Sequence, residues 1–145
     1  MHSPEEVVTR FLQAMEQQDH DTVAGLLAPD LRYTNVSLPT IKGGGRVAKL
    51  IRKTLREGRV FEVQLHSIAS TGNTVLTERT DVLKIGPVHI GFWVCGTFEV
   101  ENGRITVWRD YFDWLDFTRG TLRGLAGIAV PGLRPTLPTS APGHS

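Results

Sequence analysis

Three segments of the chain alternate like β-strands and carry polar or charged side chains where apolar ones would be expected. In "ITVWRDYFDW" (105–114), Thr106, Trp108, Asp110 and Phe112 share one face, and Val107, Arg109, Tyr111 and Asp113 share the other. The first face carries two large aromatics and reads as the buried one, so Asp110 falls between dry neighbours. In "VLTERTDVL" (75–83), one face holds Val75, Thr77, Arg79, Asp81 and Leu83. That places Arg79 and Asp81 ~6–7 Å apart along the strand. In "LRYTNVSL" (31–38), Tyr33 and Asn35 share a face with Leu31 and Ser37.

Taken singly, each of these has a plainer account. Arg79 and Asp81 could form a solvent-facing ion pair, and Asp110 could be a surface charge on the wetter face. Tyr33 and Asn35 could be rim residues, since Asn favours turns. Taken together, they would put two carboxylates, a guanidinium, a phenol and a carboxamide in one apolar pocket. Burial disfavours the charged form of a carboxylate, whereas a neighbouring arginine favours it. Two carboxylates bridged by one arginine would then settle with one protonated and one ionised, the state needed for simultaneous general-acid and general-base work. The phenol and the carboxamide could orient a water for the base. Such chemistry requires no metal, cofactor or covalent nucleophile.

The elements that must position these residues follow from patterning. Ser3-Pro4-Glu5-Glu6 resembles a capping box, and Val7, Val8, Phe11, Leu12 and Met15 repeat at helical spacing behind it, predicting a helix over 4–18. "DTVAGLLAPD" predicts a short second helix ended by Pro29. "GGGRVAKLIRKTLREG" predicts a third helix, with Val47, Leu50, Ile51 and Leu55 on its inner side. From residue 59 the period becomes two, in strands punctuated by Thr71-Gly72-Asn73, Gly86-Pro87 and Glu101-Asn102-Gly103. Helices first and strands afterwards give an α+β domain, its curved antiparallel sheet folded around the helices. "TRGTLRGLAGIAV" reads as a Gly-interrupted helix. Residues 1–130 read as one domain and the Pro-, Ser-, Thr- and Gly-rich residues 131–145 as a disordered tail.

Composition narrows the class. The chain has 145 residues, 40% apolar and 21% charged, which suits one ordinary globular domain. A net charge of +1 points to neither nucleic acid nor a membrane surface. The single cysteine, Cys95, leaves no partner for an intrachain disulfide, and the histidines are too scattered to predict a zinc site. The opening residues lack the basic start and apolar run of a signal peptide, and no segment reaches the ~20 apolar residues of a membrane span. A cytoplasmic protein is expected.

The motifs "LTERTDVL" and "GRITVWRDYFD", with "YTN" upstream, closely resemble those of the limonene-1,2-epoxide hydrolase family, over most of the chain as far as Phe117. "RGLAGIAVPGL" is similar to the actinobacterial members, which take larger lipid-like or steroid epoxides as well as small ones. The resemblance implies a nuclear transport factor 2-like (cystatin-like) cone, with a curved mixed sheet wrapped around N-terminal helices, and a homodimer paired through the sheet's outer face. It also implies roles: Asp110 as the base acting on water, Tyr33 and Asn35 holding that water, Asp81 as the acid on the epoxide oxygen, and Arg79 bridging the two aspartates. The expected partners are an apolar epoxide and water, with no nucleic acid and no membrane insertion.

Two rival readings use the same fold: an isomerase or epoxide cyclase, and a non-catalytic lipid- or steroid-binding module. Tyr33 and Asn35 favour hydrolysis over cyclisation, and a binding module has no need of two carboxylates and an arginine in an apolar cavity. Among the other polar residues, His66 reads as a structural hydrogen-bonder, His89 as solvated near a turn and Cys95 as a buried small hydrophobe. Arg46, Lys49, Arg52, Lys53, Arg56 and Arg59 give the third helix a basic, solvated side.

Overall fold

The structure is a computed structural model that describes residues 2–129, and the expected tail at 131–145 lies outside the described residues. Helix α1 (Pro4–Glu16) begins at Ser3, whose Oγ accepts a hydrogen bond from the Glu6 backbone N–H at 3.2 Å. Val7, Val8, Phe11, Leu12 and Met15 all face the core, as the spacing predicts. Helix α2 (His20–Leu26) leads directly into strand β1 (Leu27–Asn35).

Contrary to the expected helix stop, Pro29 does not end the helix but sits inside the strand. The residue before a proline disfavours helical backbone, so the chain is already extended by Ala28. The register with the neighbouring strand shifts between Leu27 and Arg32, an irregular stretch that tolerates a residue without an N–H. A two-residue strand, β2 (Ile41–Lys42), was not foreseen; it precedes helix α3 (Gly44–Thr54). Val47, Ile51 and Leu55 are buried as expected, but Leu50 is 42% exposed.

Four long strands follow: β3 (Arg59–Thr71), β4 (Thr74–Ile85), β5 (Val88–Glu101) and β6 (Arg104–Phe112). Two-residue loops join them at the predicted punctuation. The last, Asn102-Gly103, has both residues at positive φ (52° and 75°), the backbone of a tight hairpin turn. The sheet order is β2-β1-β6-β5-β4-β3. All pairings are antiparallel except β1 with β6, which run parallel, so the sheet is mixed.

The core lies between the concave face and α1, where Phe11 meets Phe98 and Trp108 edge-on, with centroids 6.4 and 5.0 Å apart. A register shift between Glu99 and Val100 changes the inner face of β6 at its start. Ile105 takes the core position there, while Thr106 donates its hydroxyl to the Glu99 carbonyl.

β6 stops at Phe112, two residues short of the strand expected, and α4 (Trp114–Ala129) starts at once. Asp113 explains the change, because its Oδ1 accepts from the Leu115 N–H at 2.9 Å, as a cap does. α4 packs mainly on β5, and Phe117 stacks on Phe112 and meets Phe92 edge-on. Among the described residues, no helix is long and apolar enough to cross a membrane.

Candidate active site

Five polar side chains singled out by the sequence come from three strands, and the register shows how they meet. On the parallel pair, Tyr33 lies opposite Trp108 and Asn35 opposite Asp110. Across the antiparallel strands, Thr77 of β4, Gly96 of β5 and Asp110 of β6 form one rung. Arg79 and Asp81 are the next two inward positions on β4. Arg79 is 1% exposed, Asp81 3% and Asp110 4%, so the solvent-facing ion pair is ruled out.

Arg79 holds the cluster together. Its Nε donates to both oxygens of Asp81, at 3.0 and 3.2 Å, and its Nη2 donates to Asp110 Oδ2 at 2.9 Å. Nη1 donates to Thr77 Oγ1 at 3.3 Å. The second oxygen of Asp110 accepts from Trp108 Nε1 at 2.9 Å. Asp110 therefore has a separate donor for each oxygen, whereas the two oxygens of Asp81 share one N–H. Tyr33 stacks at a tilt on Trp108, 4.1 Å between centroids, and donates its hydroxyl to Asn35 Oδ1 at 3.0 Å.

These groups open on a cavity of about 200 Å³. Its floor is Tyr33, Arg79, Asp81, Trp108 and Asp110, and its walls include Met15, Ile51, Phe61, Leu83, Phe92 and Phe112. Leu50 and Thr54 of α3 border it as well, which accounts for Leu50: it is a rim residue and not a core one. Asn35 does not touch the cavity wall and joins the set through Tyr33.

Burial sets the electrostatics. Removal from water pushes the Asp81 carboxyl up to about 6; Arg79 opposes the shift, and the neighbouring charge of Asp110 adds to it. Burial works against the Arg79 cation, but Asp110 and Asp81 outweigh it and hold the guanidinium firmly charged. The Tyr33 phenol is raised, first by burial and then by Asp110, so it stays a neutral donor. One cation between two carboxylates leaves a surplus negative charge unless one carboxylate is protonated, and burial pushes Asp81 towards its protonated form.

Thr77, Gly96 and the indole N–H of Trp108 belong to this network and were missed by the sequence reading. The signal for Trp108 was its position two residues before Asp110 on the same face; for Gly96 it was a glycine in mid-strand. Arg109 and Asp113 stay outside the site, as their face predicts: Arg109 donates to the Tyr111 hydroxyl at 3.3 Å, and Asp113 caps α4. His66 is a structural hydrogen-bonder, paired with Thr80 Oγ1 at 2.7 Å. Cys95 is half-buried on the outer face, not fully buried, because its β5 position alternates away from the core.

Residues 2–123 match the family profile of the limonene-1,2-epoxide hydrolase catalytic domain. The chain belongs to the limonene-1,2-epoxide hydrolase family. The expected activity class, an epoxide hydrolase, stands on that match. A relative within reach of this limonene-1,2-epoxide hydrolase family member is epoxide hydrolase EphG of Mycobacterium tuberculosis, 53% identical over 131 residues, which cover 90% of this chain and 87% of that protein. The solved structure of an M. tuberculosis epoxide hydrolase of this type superposes with a TM-score of 0.88 at 50% identity, covering 92% of this chain and 95% of that one. An NTF2-like protein of unknown function from Cytophaga hutchinsonii shares the fold at 18% identity and a TM-score of 0.65, over 78% of this chain and 92% of its own. The family fold is thus the NTF2-like cone, α+β with a curved mixed sheet.

Proposed function

We propose that this family member adds water to an apolar epoxide in one step, by general acid and general base catalysis, to give a vicinal diol. The observation that carries the reading is the single arginine bridging two buried aspartates at the floor of an apolar cavity. Protonated Asp81 donates to the epoxide oxygen as its C–O bond breaks. Asp110, held between Arg79 and Trp108, takes a proton from the water that attacks carbon from the opposite side. Tyr33 holds that water, and Asn35 fixes the Tyr33 hydroxyl by accepting its hydrogen bond. The product is inverted at the attacked carbon, and no ester to the enzyme forms. Afterwards Asp110 carries a proton and Asp81 does not; passage of that proton through water resets the pair.

The cavity of about 200 Å³ is small beside the ~300–1,000 Å³ usual for ligand sites, which favours a compact, terpene-sized body. The body of a lipid or sterol epoxide would extend past Leu50 and Thr54 towards solvent. A homodimer belongs to the same reading, supported by Trp93 and Tyr111, 40% and 39% exposed on the outer face of the sheet. So does a cytoplasmic setting.

The test is a single turnover of a terpene or styrene-type epoxide in ¹⁸O-water, run beside Asp81→Asn and Asp110→Asn. Direct attack puts the label into the diol in the first turnover, and each variant loses activity by about a thousand-fold or more while remaining folded. Unlabelled oxygen delivered from a carboxylate, or a variant retaining substantial activity, would refute the mechanism.

A further inference from the structure

We propose that Gly96, together with Thr77, is a positioning device that seats the Arg79 guanidinium across β5 so that it can reach both aspartates. The proposal rests on the acid–base reading above and extends it to residues that touch no substrate.

Arg79 is on β4 and Asp110 on β6, with β5 between them. Two strand spacings separate them, about 9–10 Å, so the side chain must lie flat across the intervening strand. At that rung β5 presents Gly96, flanked by Thr77 on one side and Asp110 on the other. A Cβ on Gly96 would stand 2.6 Å from Arg79 Nη1, 2.9 Å from Thr77 Oγ1 and 3.0 Å from Asp110 Oδ1. All three atoms are members of the network, and none sits at the free end of a surface side chain.

The backbone itself makes no demand for glycine, because Gly96 is in extended strand conformation that any residue adopts. A glycine inside a strand weakens it, so its presence here calls for a reason of space. Thr77 completes the seat: its Oγ1 accepts from Nη1 at 3.3 Å and donates to the Gly96 carbonyl at 3.3 Å. One hydroxyl thus ties the guanidinium to the backbone of the residue it lies across. Without the empty rung, Nη1 is displaced, and the contact of Nη2 with Asp110 moves with it.

Two variants test this, Gly96→Ala and Thr77→Val, the second removing the acceptor at nearly constant volume. For Gly96→Ala, kcat is expected to fall about a hundred-fold with KM within about three-fold, the scale of loss that small misplacements produce. For Thr77→Val, a fall of about ten-fold in kcat is expected. Both are read beside the thermal transition and the Trp108 indole N–H resonance, assigned by its disappearance in Trp108→Phe. Because the added methyl presses on Asp110 Oδ1, the acceptor of that indole, the resonance should shift in Gly96→Ala.

A folded Gly96→Ala with parental kcat or an unmoved Trp108 resonance overturns the proposal. If Gly96→Ala does not fold, Thr77→Val decides alone, and a kcat within two-fold of the parent overturns it. Failure of the acid–base reading is distinguishable: Asp110→Asn would then stay active, while the Arg79 Nε–H resonance in Gly96→Ala and Thr77→Val still reports whether the guanidinium is seated by this pair.

Discussion

Asp81 and Asp110 carry the same functional group, yet their neighbours give them different surroundings. Asp110 receives Nη2 of Arg79 on one oxygen and the Trp108 indole on the other, both at 2.9 Å. Among the described residues Asp81 has only Nε of Arg79 as a donor, and desolvation lifts its carboxyl to about 6. If Asp81 is the acid it must be protonated to act, so kcat/KM should decline as pH rises through about 6, with an apparent value that belongs to the coupled pair. A pH–rate profile measured under kcat/KM conditions checks this; a profile flat from pH 5 to about pH 8 would count against Asp81 as the acid. The same shift links to stability. The folded chain holds a proton that the unfolded chain releases near 3.8, so this contribution to folding is complete below 3.8 and is lost as pH rises through about 6.

At the scale of elements, α4 is placed by two glycines. β6 pairs with β5 from Val94 onward, and α4 lies against His89, Gly91 and Phe92 of β5, where β6 does not reach. A Cβ on Gly120 would overlap the carbonyl oxygen of Gly91, and one on Gly124 that of His89. The spacings agree: four helical residues advance about 6 Å and two strand residues about 6.6 Å. The helix therefore rests directly on the strand's carbonyl edge, which a covering element protects from pairing with another chain. Its Phe117 braces Phe92 and Phe112, two walls of the cavity. Gly120→Ala and Gly124→Ala should each destabilise the protein by about 1–3 kcal/mol, the range for overpacking against a fixed neighbour. Denaturant unfolding measures the loss, and unchanged stability in both would show that α4 can move away from β5 without penalty.

Across the whole molecule, one curved sheet uses its two faces differently. The concave face buries the core and the acid–base cluster, whereas the outer face exposes Trp93 and Tyr111 beside the Glu78 and Arg109 side chains that hydrogen-bond to them. If that face joins two copies, charge placed there should separate them. Trp93→Glu with Tyr111→Glu is expected to convert a dimer to a monomer in sedimentation or light scattering. A dimer that persists in the double variant would locate the interface elsewhere.

Sequence by itself determined that Arg79 and Asp81 share one face of their strand and that Asp110 shares its face with Trp108 and Phe112, because side-chain direction in a strand has period two. That these faces turn inward was decided by the tertiary structure. Sequence also determined the helix-then-strand order and the hairpin turns, whose glycines and asparagine carry local backbone requirements. What it left undetermined depended on partners distant in the chain. Pro29 looked like a helix stop until β6 supplied a strand for Leu27 to join. Thr106 looked like a core position until the register shift gave that place to Ile105. Gly96 showed nothing in sequence beyond an absent side chain; only the stacking of β4, β5 and β6 turns that absence into the space where Arg79 lies. Periodicity is a property of the strand alone, whereas the emptiness of one rung has meaning only once the neighbouring strands have set what must pass over it.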